Sequence, residues 1–124
     1  MPWVGQDIEN LENLDAALLI GSNTRKEQPL VNHRIRKAAL RGAKIMAINP
    51  VDFEFNFDLA HSVVAAPSAL AGAVDNADIK SLLANAERAV VLVGETAAAN
   101  PDYSLICGAA ADMASATGAT LGFL

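Results

Sequence analysis

At 124 residues, 52% hydrophobic and 19% charged, the chain is long enough for one domain with a real core and too apolar to be disordered. Its formal charge of −5 argues against a nucleic-acid surface, and its single cysteine, Cys107, excludes an internal disulfide or an all-cysteine metal site. No secretory leader is visible, and no apolar run approaches the roughly 18 residues a membrane-spanning helix needs, so a soluble, cytosolic chain is expected.

The first thirteen residues, with Trp3 beside Pro2 and three acids, read as a lead-in segment. Residues 16–20 then form a short unbroken apolar run, the pattern of a strand buried on both faces. Gly21 ends it where the backbone must turn, and Ser22, Asn23 and Thr24 are turn and cap formers. A helix over 27–41 follows, with Pro29 in its first turn and Gly42 as its C′ residue. Leu30, Val31, Ile35, Ala38 and Ala39 share one half of its wheel; His33, Arg34, Arg36, Lys37 and Arg41 share the other, with Leu40 among the charges.

Residues 43–48 read as a second buried strand, ended by Asn49-Pro50 and parallel to the first by the right-handed crossover rule. Phe53, Phe55, Phe57 and Leu59 alternate with polar residues, as in an extended arm with one apolar face. A third strand is expected over 62–66, a short helix over 68–74 and a second helix within 75–88. A fourth buried strand covers 89–93 and is ended by Gly94, as Gly21 ended the first. Asn100 then caps a helix with Pro101 at its first position and Gly118 at its end. Its inner stripe is read as Tyr103, Ile106, Cys107, Ala110 and Ala114, which makes Cys107 a buried, inert thiol. Residues 120–124 form a fifth strand, and a chain stopping there reads as a piece cut from a longer polypeptide.

This alternation predicts a single α/β domain over 1–124: an open, mainly parallel, Rossmann-like sheet of order 3-2-1-4-5 with helices on both faces. The order reverses between the first and fourth strands, so the loops after Gly21 and Gly94 face each other across the one crevice expected to hold a ligand. A dinucleotide site would need Gly-x-Gly-x-x-Gly, and a P-loop Gly-x-x-x-x-Gly-Lys-Ser/Thr. The turn here, Gly-Ser-Asn-Thr-Arg-Lys, is neither. His33 and His61 lie 28 residues apart with no ligand partners at metal spacing, and Ser22 and Ser104 lack the Gly-x-Ser-x-Gly context of an activated serine. Asp52 and Glu54 have no evident cleft, and Arg25 and Lys26 read as pairing with nearby acids rather than clamping an anion. Neither a catalytic residue nor a metal ligand is therefore expected. The bases, by contrast, are concentrated: seven of nine fall in residues 25–44, a segment of net +6, which leaves −11 for everything else. Such a face is usually solvated, but it is also how charged subunits meet, so His33, Arg34, Arg36, Lys37, Leu40 and Arg41 are interface candidates.

Residues 14–39, and above all Arg-Lys-Glu-Gln-Pro-Leu followed by His-Arg-x-Arg-Lys-Ala, closely resemble the large iron–sulfur subunit of respiratory NADH:quinone oxidoreductase, complex I. Gly-x-Asn at 21–23, Gly-Ala-Lys-x-x-x-x-Asn-Pro at 42–50 and Ala-His-x-Val-Val-Ala-x-Pro at 60–67 resemble the wider molybdopterin oxidoreductase superfamily. Catalytic members of that superfamily bind a pterin guanine dinucleotide at Gly-x-Asn, and Gly21 and Asn23 are retained. Their Asp-Pro-Arg after the second strand is Asn49-Pro50-Val51 here, and their Pro-Gly-Thr-Asp-like turn is Pro67-Ser68-Ala69-Leu70. The resemblance thus implies a vestigial crevice (Gly21, Ser22, Asn23, Asn49, Gly94) that binds no cofactor, in a domain serving as scaffold and interface. It implies further that the iron–sulfur clusters lie in other segments, that the partners are other subunits of the peripheral arm, and that the complex places this chain peripherally on the cytoplasmic side of a bacterial inner membrane. The rival expectation is retained pterin or nucleotide binding at the Gly21/Gly94 crevice; a second is a free-standing small-molecule binding domain.

Overall fold

The computed structural model describes residues 14–21, 29–49, 59–65, 69–74, 76–94 and 101–123. Five strands, β1 (Ala16–Ile20), β2 (Lys44–Asn49), β3 (His61–Val64), β4 (Ala89–Val93) and β5 (Thr120–Phe123), form one sheet in the order β3-β2-β1-β4-β5. Every pairing is parallel, as the crossover rule requires. The helices are α1 (Pro29–Leu40), α2 (Leu70–Val74), α3 (Ala77–Ala84) and α4 (Tyr103–Thr117). This is the expected open α/β fold in the expected order.

The apolar runs are continuous because the central strands are covered on both sides. Every residue of β1 is buried, as are Ile45–Asn49 of β2 and Val90 to Val93 of β4. Period-two alternation then divides one sheet into two cores. Leu18, Ile20, Met46, Ile48, Val91 and Val93 point to the face covered by α2, α3 and α4. Ala17, Leu19, Ile45, Ala47, Val90 and Leu92 point to the other face, where Ile35 of α1 packs. Each such Leu, Ile or Val contributes about 1.5–3 kcal/mol on burial. Edge strand β3 differs: Ser62 and Val64 are exposed and His61 and Val63 half-buried, so only one of its faces is used.

The helix ends show why the elements stop where they do. After α1, the Gly42 amide donates to the Ala39 carbonyl and the Ala43 amide to that of Ala38, both at 3.0 Å. That is a Schellman arrangement, and Gly42 supports it with φ +108°. At the end of α4, Gly118 takes the left-handed conformation with φ +76°. Ahead of α3, Asn76 Oδ1 accepts from the amides of Asp78 (2.9 Å) and Ile79 (3.1 Å).

Several expected boundaries move. The helix expected within 75–88 is confined to Ala77–Ala84, because the Asn76 cap starts it late and residues 85–88 turn so that Arg88 meets Asp15. Pro101 does not open α4: the first helical carbonyl is that of Asp102, which accepts from Leu105 and Ile106, and Asn100 lies outside the described residues. His61 is the first residue of β3 rather than its lead-in. The buried stripe of α4 is Ile106, Ala110, Met113 and Ala114, at i, i+4, i+7 and i+8. Cys107 lies on the flank of that stripe and is half-buried, not buried as expected. The lead-in 1–13 and the phenylalanine arm, apart from Leu59, lie outside the described residues.

Candidate functional site

The register builds the expected crevice from its floor. Ile20 of β1 pairs with Ile48 of β2 on one side and with Val93 of β4 on the other. One step beyond, the Gly21 amide donates to the Ile48 carbonyl at 2.8 Å, and the Gly94 amide donates to the Ile20 carbonyl at 2.9 Å. Gly21 and Gly94 are thus brought side by side at the carboxyl end of the sheet, where the strand order reverses. Gly21 has φ +59°, the left-handed region that an L side chain enters only with strain, so glycine is needed for the chain to leave β1 in this direction. Gly94 is not among the positive-φ glycines, so it does not turn the chain as Gly21 does.

Asn49, at the end of β2, is 3% exposed, and its carbonyl accepts from the Ala65 amide at 3.1 Å. Asn49 and Gly21 therefore both lie at the carboxyl end of the sheet, with Gly94 beside Gly21. Ser22 and Asn23, along with Arg25, Lys26, Pro50, Val51, Pro67, Ser68 and Asn100, lie outside the described residues. The Gly21 and Gly94 amides are used within the sheet, and the loops that continue from them, residues 22–28 and 95–100, lie outside the described residues.

Two concavities lined by described residues lie away from this crevice. One, of about 290 Å³, lies between α3 and α4 and is lined by Lys80, Ala109, Asp112, Met113 and Ala116. The other, of about 220 Å³, is lined by Asp15, Arg41, Glu87 and Arg88 at the amino end of the sheet. Neither is expected from the sequence, because each depends on how α1, α3 and α4 rotate against the sheet, which wheel positions alone leave open. Among the described residues, no three His, Cys, Asp or Glu side chains converge as metal ligands. Among the described residues, Tyr103, at the start of α4, has a displaced ionisation. Burial raises its pKa above 10.0, helped by a hydrogen bond with Cys107 and by the charge Cys107 carries once ionised.

The interface candidates separate into two groups. His33, Lys37 and Leu40 are exposed, Leu40 to 71%, while Arg34 and Arg36 are half-buried. Arg41 is exposed too, but its Nη2 donates to the Leu14 carbonyl at 2.8 Å. Arg41 thus does more than face solvent: it ties the end of α1 to the entry of β1. Asn32, which the sequence did not single out, is buried on α1.

The sheet order places the crevice in an open α/β fold, and the sequence comparison decides the family. The molybdopterin oxidoreductase model matches residues 2–122. The chain belongs to the molybdopterin oxidoreductase family. Within it, the chain is 33% identical over 102 residues to the mitochondrial NADH-ubiquinone oxidoreductase 78 kDa subunit of Candida albicans, a match covering 80% of this chain and 14% of that protein. It is 34% identical over 88 residues to the mitochondrial NADH dehydrogenase [ubiquinone] iron-sulfur protein 1 of Solanum tuberosum, covering 70% of this chain and 12% of that one. A shorter stretch of 43 residues, 35% of the chain, is 49% identical to the F420-dependent formate dehydrogenase subunit alpha of Methanocaldococcus jannaschii and covers 6% of it. The chain thus spans less than a sixth of the length of each of these relatives. Among its described residues, no helix is long and apolar enough to cross a membrane.

Proposed function

We propose that this chain is a scaffold and interface domain of the iron–sulfur subunit of a respiratory NADH:quinone oxidoreductase, without a catalytic centre of its own. The observation that carries this reading is the extent of likeness: the two relatives above that match over 70% and 80% of the chain are NADH dehydrogenase subunits. The crevice floor supports it. A cofactor site needs donors and charge left over for the ligand, whereas the Gly21 and Gly94 amides are used within the sheet. In this reading electron transfer runs through iron–sulfur clusters held by other segments of the subunit. The domain supplies a rigid α/β body against which neighbouring subunits of the peripheral arm pack, on the cytoplasmic face of the membrane.

The test is to tag the full-length protein in its native host and isolate it gently from membranes. Co-purification with NADH:quinone reductase activity and several further subunits is expected, with iron and acid-labile sulfide but no stoichiometric molybdenum. A small soluble assembly that oxidises formate, or one molybdenum per chain, would overturn the reading.

A second reading is that the Gly21/Gly94 crevice still holds a pterin or nucleotide. The local 49% identity to a formate dehydrogenase subunit favours it. Titration calorimetry of the same preparation with guanine nucleotides separates the two readings: saturable binding that Gly21→Val abolishes supports the second.

A further inference from the structure

We propose that the outward face of α1 is a docking surface for an acidic patch on a neighbouring polypeptide, with Leu40 as its apolar anchor. The proposal rests on the reading of this chain as part of a multi-subunit assembly. At about 100° per residue, His33, Arg36 and Lys37 all fall within about 60° of Leu40 on the helical wheel. Ile35 and Ala38, the residues that α1 buries completely, lie about 140–160° round from it. Leu40 therefore sits at the crown of the exposed face, 71% exposed, ringed by basic side chains and imidazole.

A ring of charge around one solvent-facing leucine matches the anatomy of an interface anchor: an apolar knob that fills a socket, and a polar rim that sets orientation and encounter rate. Charge complementarity chooses the partner. This is the positive region of a chain whose remaining residues sum to −11, so an acidic protein surface with a leucine-sized socket fits it. A lipid surface fits poorly, because membrane-surface helices need a broad apolar face and that of α1 is committed to the sheet through Ile35 and Ala38. A second copy offering its own acidic face would build an open head-to-tail array rather than a closed assembly.

The experiment uses the tagged full-length protein, with recovery of co-purifying subunits measured at several salt concentrations. Leu40→Ala is expected to lower recovery of one acidic partner about tenfold at every ionic strength, because the lost contact is apolar. Lys37→Glu is expected to lower it most at low salt, with the deficit shrinking as salt rises. The same charge reversal on the opposite face of the sheet, Lys80→Glu, is expected to leave recovery unchanged, and all three variants should melt with the wild type. If the wild type recovers no partners, the assembly reading fails. Full recovery by both α1 variants from an assembly that does form overturns the docking surface alone. So do an unfolded Leu40→Ala, vesicle binding by the wild type that Lys37→Glu abolishes, or self-association in its place.

Discussion

Arg41 and Leu14 are 27 positions apart in sequence and joined by one hydrogen bond, the guanidinium Nη2 donating to the main-chain carbonyl at 2.8 Å. The bond fastens the last turn of the basic helix to the entry of the central strand. Beside it, Asp15 accepts the Arg88 amide at 3.1 Å on its Oδ2 and gives its own amide to the Arg88 carbonyl at 2.8 Å. The Asp15 carbonyl takes the Lys44 amide at 2.9 Å. The amino ends of β1, β2 and β4 are thereby held together by polar contacts, while their middles are held by apolar ones.

Arg41→Ala should therefore destabilise the chain where Lys80→Ala, at an exposed lysine of α3, does not. Losing a charged donor to a part-buried carbonyl costs about 1 kcal/mol once solvent competition is allowed for. Urea denaturation of both variants checks this, and equal midpoints would remove Arg41 from the fold.

Gly21→Val should destabilise more strongly. A β-branched residue at φ +59° is strained, at a cost of about 1–3 kcal/mol, in a position where the amide must also keep its bond to Ile48. Gly118→Ala is the instructive comparison. Nothing lies within 4 Å of the added methyl, so the cost there is conformational alone, about 1 kcal/mol. Thermal melts that rank Gly21→Val below Gly118→Ala are the expected result.

Asn76→Ala should cost about 1 kcal/mol, because two amide donors at the start of α3 lose their acceptor. Asn76→Asp should retain most of the stability, since a carboxylate caps as well and meets the positive end of the helix dipole. Equal losses in the two variants would show that the side-chain oxygen is not what starts the helix.

Tyr103 is the only tyrosine in the chain, so its ionisation can be followed alone by phenolate absorbance. The midpoint should lie above 10.0, because burial and Cys107 both favour the neutral phenol. Cys107→Ser should bring it part of the way back, leaving the share due to burial. Since the folded value is raised, the stabilisation linked to this proton is fully present below the unfolded value near pH 10. It declines as pH rises from there through the folded value. Tyr103→Phe should accordingly flatten the loss of stability on the alkaline side, and an unaltered profile would place the ring in solvent.

Much of the architecture could be read from hydrophobic patterning. Residues 16–20, 43–48 and 89–93 read as short apolar runs covered on both faces, and the segments between them supply the crossovers and the third strand. With the right-handed rule, that is enough to order the sheet and to bring Gly21 and Gly94 together. The left-handed turns at Gly21, Gly42 and Gly118 were legible for the same reason: only glycine enters that region freely. What required tertiary structure was rotation and partner choice. A helical wheel gives a stripe but not its centre, so Cys107 and Met113 of α4 exchanged places between flank and core once the helix settled against β4 and β5. A base on a helix looks the same whether it meets water or a carbonyl, and Arg41 met Leu14 because packing Ile35 against Leu19 and Leu92 carries the helix end to the edge of β1. Sequence determined which residues must leave water; which polar atom lay within reach afterwards was decided only when those residues had packed.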